Sequence, residues 1–215
     1  IIIHESGHEW FANNITYKDV ADMWIHESFT NYSESLYLDY FYGKEAGQEY
    51  VRGTRMNIEN QSPIIGIYGV NSRGSGDMYY KGGNLLNTLR EIVQDDEKWR
   101  QILRGLNQEF YHQTVTTEQV ENYISQAFGM DLKPVFDQYL RDIRIPILEY
   151  YYSDEQTLNY RWINSVASFD MPVDLILGEK KVRVKPTTNW SKLAVTEKSE
   201  LKVDEDYYVG SLKMR

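Results

Sequence analysis

His4-Glu5-Ser6-Gly7-His8, followed after eighteen intervening residues by Glu27, decides how this chain is read. The pattern is H-E-x-x-H-x18-E. On a helix, positions i and i+4 share one face, roughly 5–6 Å apart at Cβ. Two imidazoles at that spacing can meet one metal ion. Glu5 follows the first imidazole and can lie beside the metal without binding it, where it can take a proton from water. Two His and one carboxylate, with a fourth position left for water, is the hydrolytic zinc arrangement. One Zn2+ is therefore expected, with His4, His8 and Glu27 as ligands.

The chain has four histidines, His4, His8, His26 and His112, and two of them fall in the motif. Met23-Trp24-Ile25-His26-Glu27-Ser28-Phe29-Thr30-Asn31-Tyr32 places Glu27 in an apolar, aromatic stretch. A buried carboxylate there needs a partner, and a zinc ion is a good one. Trp10, Phe11, Trp24, Phe29 and Tyr32 read as core that keeps such a site dry.

The chain resembles the aminopeptidase N family of zinc peptidases, within the gluzincins. His4-Glu5-Ser6-Gly7-His8-Glu9-Trp10-Phe11 resembles that family's H-E-x-x-H-Q-W-F, and Trp24-Ile25-His26-Glu27-Ser28-Phe29-Thr30 its W-L-N-E-G-F-A. Thermolysin-like peptidases are also similar, but their third ligand lies one residue further on. The resemblance continues through Tyr79-Tyr80-Lys81-Gly82 to Phe136-Asp137-Gln138-Tyr139-Leu140. Glu9, His26 and Ser28 depart from the family's Gln, Asn and Gly, and none of these departures removes a ligand.

The length of 215 residues allows one large domain or two small ones. A net charge of −9 argues against nucleic acid as a partner. No stretch approaches the ~20 apolar residues of a membrane span. Zero Cys excludes a disulfide framework and thiolate chemistry. It leaves the compartment open, with a lean to periplasmic or exported. The chain begins at Ile1 without an initiator Met and reaches its first ligand three residues later, so it reads as an excised fragment.

Helices are expected at 2–14, 19–42, 44–60, 77–94, 96–112, 117–128 and 132–142. Asp19 is a candidate N-cap, Gly43 a stop, and Thr116-Thr117-Glu118 and Lys133-Pro134 start signals. Residues 61–76 carry Pro63 and four glycines and read as a loop. After Pro146, Leu158-Tyr160-Trp162 and Val182-Val184 alternate with polar residues, which argues for half-buried strands. Further strands are expected at Val173–Leu177, Lys192–Val195, Leu201–Val203 and Tyr207–Val209. The expected fold is a mainly α catalytic subdomain over 1–144, like the C-terminal helical half of thermolysin, followed over 145–215 by a small all-β immunoglobulin-like sandwich. The resemblance implies the same order.

Glu5 is the expected general base. The resemblance implies that Tyr79, first in Tyr79-Tyr80-Lys81-Gly82, is the catalytic tyrosine, a donor to the tetrahedral oxyanion. Glu34, two turns beyond Glu27 on the same face, reads either as a partner fixing an imidazole tautomer or as a solvent-facing charge. Asp22 reads as a weaker version of the former or as a helix cap. Gly82 and Gly83 read as close helix packing ahead of close backbone approach to substrate, Lys81 as a structural or surface charge, and residues 71–76 as a connecting loop ahead of an active-site lid.

The family's G-x-M-E-N segment, which pairs with the substrate's α-ammonium, is absent from these residues, as are its N-terminal β region and helical C-terminal domain. The resemblance implies an aminopeptidase acting on peptides with a free N-terminus, and the isolated fragment is expected to be a poor catalyst. An endopeptidase or epoxide hydrolase on the same scaffold, and a non-catalytic binding scaffold, are the alternatives.

Overall fold

The structure, a computed structural model, describes residues 1–214. Its helices lie in the first two thirds of the chain and most of its strands in the last third. Helix α1 (Ile2–Gly7) leads into α2 (Trp24–Tyr42), α3 (Lys44–Thr54), α4 (Tyr80–Val93), α5 (Asp96–Glu109), α6 (Thr117–Phe128) and α7 (Lys133–Phe136). Most of the start and stop signals act as their chemistry dictates. Asp19 accepts from the Ala21 amide ahead of α2, Gly43 ends α2 at φ 95°, and Thr116 and Gln119 form a reciprocal capping box on α6.

The first helix is shorter than the periodicity predicts. It stops at Gly7, and the chain then kinks through Phe11 (φ −117°, ψ 69°) and Ala12. The kink turns the backbone into a strand absent from the sequence reading, β1 (Ile15–Tyr17), which pairs in parallel with β2 (Gln113–Val115). Trp10 goes with it: expected in the core, it is 55% exposed, whereas Phe11, Trp24, Phe29 and Tyr32 are buried.

From Ile147 onward the chain is β. Strands β3 (Ile147–Asp154), β4 (Thr157–Ile163), β7 (Ser191–Ala194) and β9 (Gly210–Lys213) form one sheet in the order β7-β4-β3-β9; β5 (Val173–Leu177), β6 (Lys180–Val184) and β8 (Leu201–Val203) form a second in the order β6-β5-β8. Tyr207–Val209, expected as a strand, is not one. Tyr207 and Tyr208 are buried as plugs instead, Tyr207 donating to the Glu91 carbonyl of α4 and Tyr208 receiving the Tyr139 hydroxyl at its carbonyl. A continuous set of buried apolar residues runs from Phe11 and Trp24 through Leu85, Leu106 and Phe136 to Leu148, Trp162 and Leu201. No helix among the described residues is long and apolar enough to cross a membrane.

Two close contacts place the site. Helix α4 lies so near α2 that a Cβ on Gly82 would stand 1.9 Å from Ser28 Oγ, and one on Gly83 would stand 2.4 Å from Asn31 Oδ1. The glycines are there for packing, as the sequence reading favours. Lys81 beside them is not a surface charge: it is 1% exposed and donates to the Asp142 carbonyl at 2.9 Å.

Candidate metal centre

Helix α1 carries His4, and His8 caps its C-terminal end, so both imidazoles face α2, which carries Glu27. The His4 ring is 5.1 Å from the His8 ring, edge to face. His4 Nε2 lies 3.2 Å from Glu27 Oε2, and His8 Nε2 lies 3.7 Å from the same oxygen. One nitrogen from each imidazole and one carboxylate oxygen fall within 4.8 Å of one another. A tetrahedral ion with bonds of about 2.0–2.2 Å has ligand-to-ligand edges of about 3.3–3.6 Å, so these separations suit such a centre. Side-chain exposures of 11% for His4, 15% for Glu27 and 25% for His8 leave the donors shielded but reachable from one side.

Both imidazoles are held from behind. His8 Nδ1 is 3.1 Å from the Phe11 carbonyl, which can only accept, so that nitrogen carries the proton and Nε2 is left with its lone pair. The acceptor is supplied by the kink, since the broken turn frees Phe11 O. His4 Nδ1 lies 3.3 Å from Glu34 Oε1, which sets the same tautomer. Glu34 thus faces an imidazole and is only 17% exposed, and the solvent-facing reading is dropped. Asp22 does not approach the histidines. It is fully buried and accepts from Tyr68 Oη at 2.6 Å and from the Thr117 hydroxyl at 2.6 Å and amide at 3.2 Å.

Glu5 and Tyr79 line the same cleft as the three donors, a recess of about 600 Å³ that extends past Asn31 and Glu34 to Tyr50 and Tyr80. The Tyr79 ring is 5.9 Å from that of His4. Burial, then the nearby Glu27 and Glu5 carboxylates, push the Tyr79 phenol above the usual tyrosine range, so it stays a donor at neutral pH. Residues absent from the sequence reading of the site are Tyr50, whose hydroxyl donates to Glu34, and His26 in its folded role. His26 Nε2 accepts from the Tyr17 amide at 3.1 Å, and burial, followed by the neighbouring His8, pushes it down to about 4. No motif marks Tyr50, which lies 23 positions beyond Glu27 on another helix.

The sequence profile described as "Peptidase family M1 domain" matches residues 1–139. The chain is 23% identical over 175 residues to aminopeptidase N of Lactobacillus helveticus, an alignment covering 72% of this chain and 20% of that protein. It is 22% identical over 228 residues to mouse aminopeptidase B, covering 99% of this chain and 32% of that protein. Among solved structures, Legionella pneumophila aminopeptidase A in complex with aspartic acid superposes with a TM-score of 0.73 at 15% identity, over 99% of this chain and 26% of that one. The chain therefore spans about a fifth to a third of the length of these relatives.

Proposed function

The chain belongs to peptidase family M1, and on that premise we propose that it carries the catalytic centre of a zinc-dependent aminopeptidase, with His4, His8 and Glu27 as the metal ligands. The observation that carries this reading is the convergence of three donors from two helices beside Glu5 and Tyr79 in one cleft. A zinc ion held there supplies Lewis acidity to the attacking water and to the scissile carbonyl. Glu5 takes the proton that the water gives up and passes it to the leaving amine. The Tyr79 hydroxyl donates to the oxygen on which negative charge develops. Glu34 and the Phe11 carbonyl keep the two imidazoles in the metal-binding tautomer. The substrates on this reading are peptides with a free N-terminus. The same reading divides the chain into a helical catalytic part, 1–144, and an immunoglobulin-like β part, 145–215.

The test has two arms. The 215-residue chain should take up one zinc ion, and His8→Ala should lose it; equal metal content in both would count against the ligand set. The whole polypeptide that carries this chain should then be offered a free peptide and its N-acetylated twin, with and without chelator, beside Glu5→Gln. Chelator-sensitive cleavage of the free peptide alone, lost in Glu5→Gln, is the expected result. Cleavage of both peptides points to an endopeptidase, and cleavage of neither to a binding scaffold.

A further inference from the structure

We propose that Tyr50 is a positioning residue for the metal centre: from α3 its hydroxyl fixes the Glu34 carboxylate, which in turn aims the His4 imidazole. The inference rests on the reading of His4 as a ligand. Glu34 divides its two oxygens. Oε1 faces His4 Nδ1 at 3.3 Å, while Oε2 receives the Tyr50 hydroxyl and, at 3.5 Å, the Asn31 side-chain amide. The Asn31 contact is too long to orient anything by itself. The terminal torsion of a Glu side chain is broad and roughly two-fold, so a carboxylate held at one oxygen only can swing away from the imidazole. Tyr50 is the group that prevents this, because its bond falls on the oxygen His4 does not use.

The surroundings fit that task. Tyr50 and Glu34 both line the cleft beside the metal-ligating donors. Burial, then the hydrogen bond to Glu34, pushes the Tyr50 phenol above the usual tyrosine range, so it remains a donor across the pH range in which imidazoles bind metal. The chain of contacts runs from α3 through α2 to α1. It couples the α2–α3 hairpin to the orientation of a ligand on a third helix.

A purely structural Tyr50 would pin α3 to α2 equally with and without metal. A positioning Tyr50 matters more when the metal is bound. The experiment is a zinc titration of the 215-residue chain against a competing chelator, on the wild type, Tyr50→Phe, Glu34→Gln and the double variant, with thermal midpoints of the metal-free forms measured alongside. Loss of a direct partner of a metal-binding His weakens affinity by roughly 10–100-fold, which is expected for Glu34→Gln. Tyr50→Phe, one bond further out, should weaken it by roughly 3–10-fold, and the double variant should be no weaker than Glu34→Gln alone, because the two act in series. Zinc affinity in Tyr50→Phe equal to wild type, or a double loss equal to the sum of both, overturns the proposal. A wild-type chain that takes up no zinc overturns the metal-site reading itself, a separate and distinguishable result. Cobalt(II) in place of zinc gives a second measure: the visible band of Tyr50→Phe should shift with the altered imidazole geometry, and an unchanged band counts against it.

Discussion

Lys81 holds a charge where the fold has little to offer it. One of its three donors finds the Asp142 carbonyl, and the side chain is buried. Burial pushes its pKa down from 10.5 to about 8, against the weaker pull of Asp77 and Asp142. Between those two values the unfolded chain binds more protons than the folded one, so Lys81 makes the fold more stable as pH rises through that window, and the gain is lost as pH falls back to about 8. Lys81→Met should therefore cost more relative to wild type at high pH, by on the order of 2–3 kcal/mol across the window. Urea unfolding on either side of it checks this, and a flat difference would dismiss charge burial as the cause. For Tyr79→Phe in the whole polypeptide, kcat should fall by roughly 10²–10³-fold with zinc content unchanged. Equal kcat would remove the phenol from the chemistry. Most site residues are legible in sequence because they fall in the H-E-x-x-H-x18-E spacing. Tyr50 is not, since a contact made across helices leaves no periodicity behind.

At the scale of elements, helices announce themselves more plainly than strands. The cap at Thr116 and the stop at Gly43 are local chemistry and are legible as such. β1 and β2 are three residues each and pair across 98 positions in parallel register, Ile15 opposite Gln113, so nothing near either one signals it. β3 escapes notice for another reason: Tyr150, Tyr151 and Tyr152 follow one another, so it lacks the apolar–polar alternation of Leu158, Asn159, Tyr160, Arg161 and Trp162 that reveals β4. Tyr207–Val209 misleads in the opposite direction, because buried aromatics suit a plug as well as a strand. The helix contact at Gly82 yields a prediction at this scale. Gly82→Ala should destabilise the chain by roughly 1–3 kcal/mol through overpacking against Ser28. Adding Ser28→Gly should restore part of that loss in the thermal midpoint. A double variant no more stable than Gly82→Ala would show that Ser28 is not the obstacle.

Across the whole molecule, helices and sheets are fastened by a buried ionic knot. Asp174 of β5 receives Arg183 Nε at 3.0 Å and Gln94 at 2.8 Å, pairs with Lys181 at 3.4 Å, and has the Tyr207 hydroxyl 3.2 Å away. Arg183 also donates to the Glu91 and Ile92 carbonyls at the end of α4. Arg183→Met should cost about 1–3 kcal/mol, because it removes the guanidinium's bonds to Asp174 and to the Glu91 and Ile92 carbonyls while Lys181 and Gln94 still face the carboxylate, and it should lower one shared melting transition seen alike by near- and far-ultraviolet circular dichroism. Two separate transitions would mean that the fastening is not what joins the parts.

Asp22 acts over a similar span. Its three donors come from positions 68 and 117 and all fall on Oδ1, while Oδ2 is enclosed with no partner among the described residues. One atom is thus the keystone of three remote stretches around Trp24, whose indole donates to the same Thr117 hydroxyl. Asparagine at 22 keeps the accepting oxygen but sets a two-donor amide where Oδ2 is enclosed, so it should cost roughly 1–3 kcal/mol in urea unfolding, whereas alanine should loosen all three stretches together. What the architecture asks of that place is an acceptor on both sides and a donor on neither.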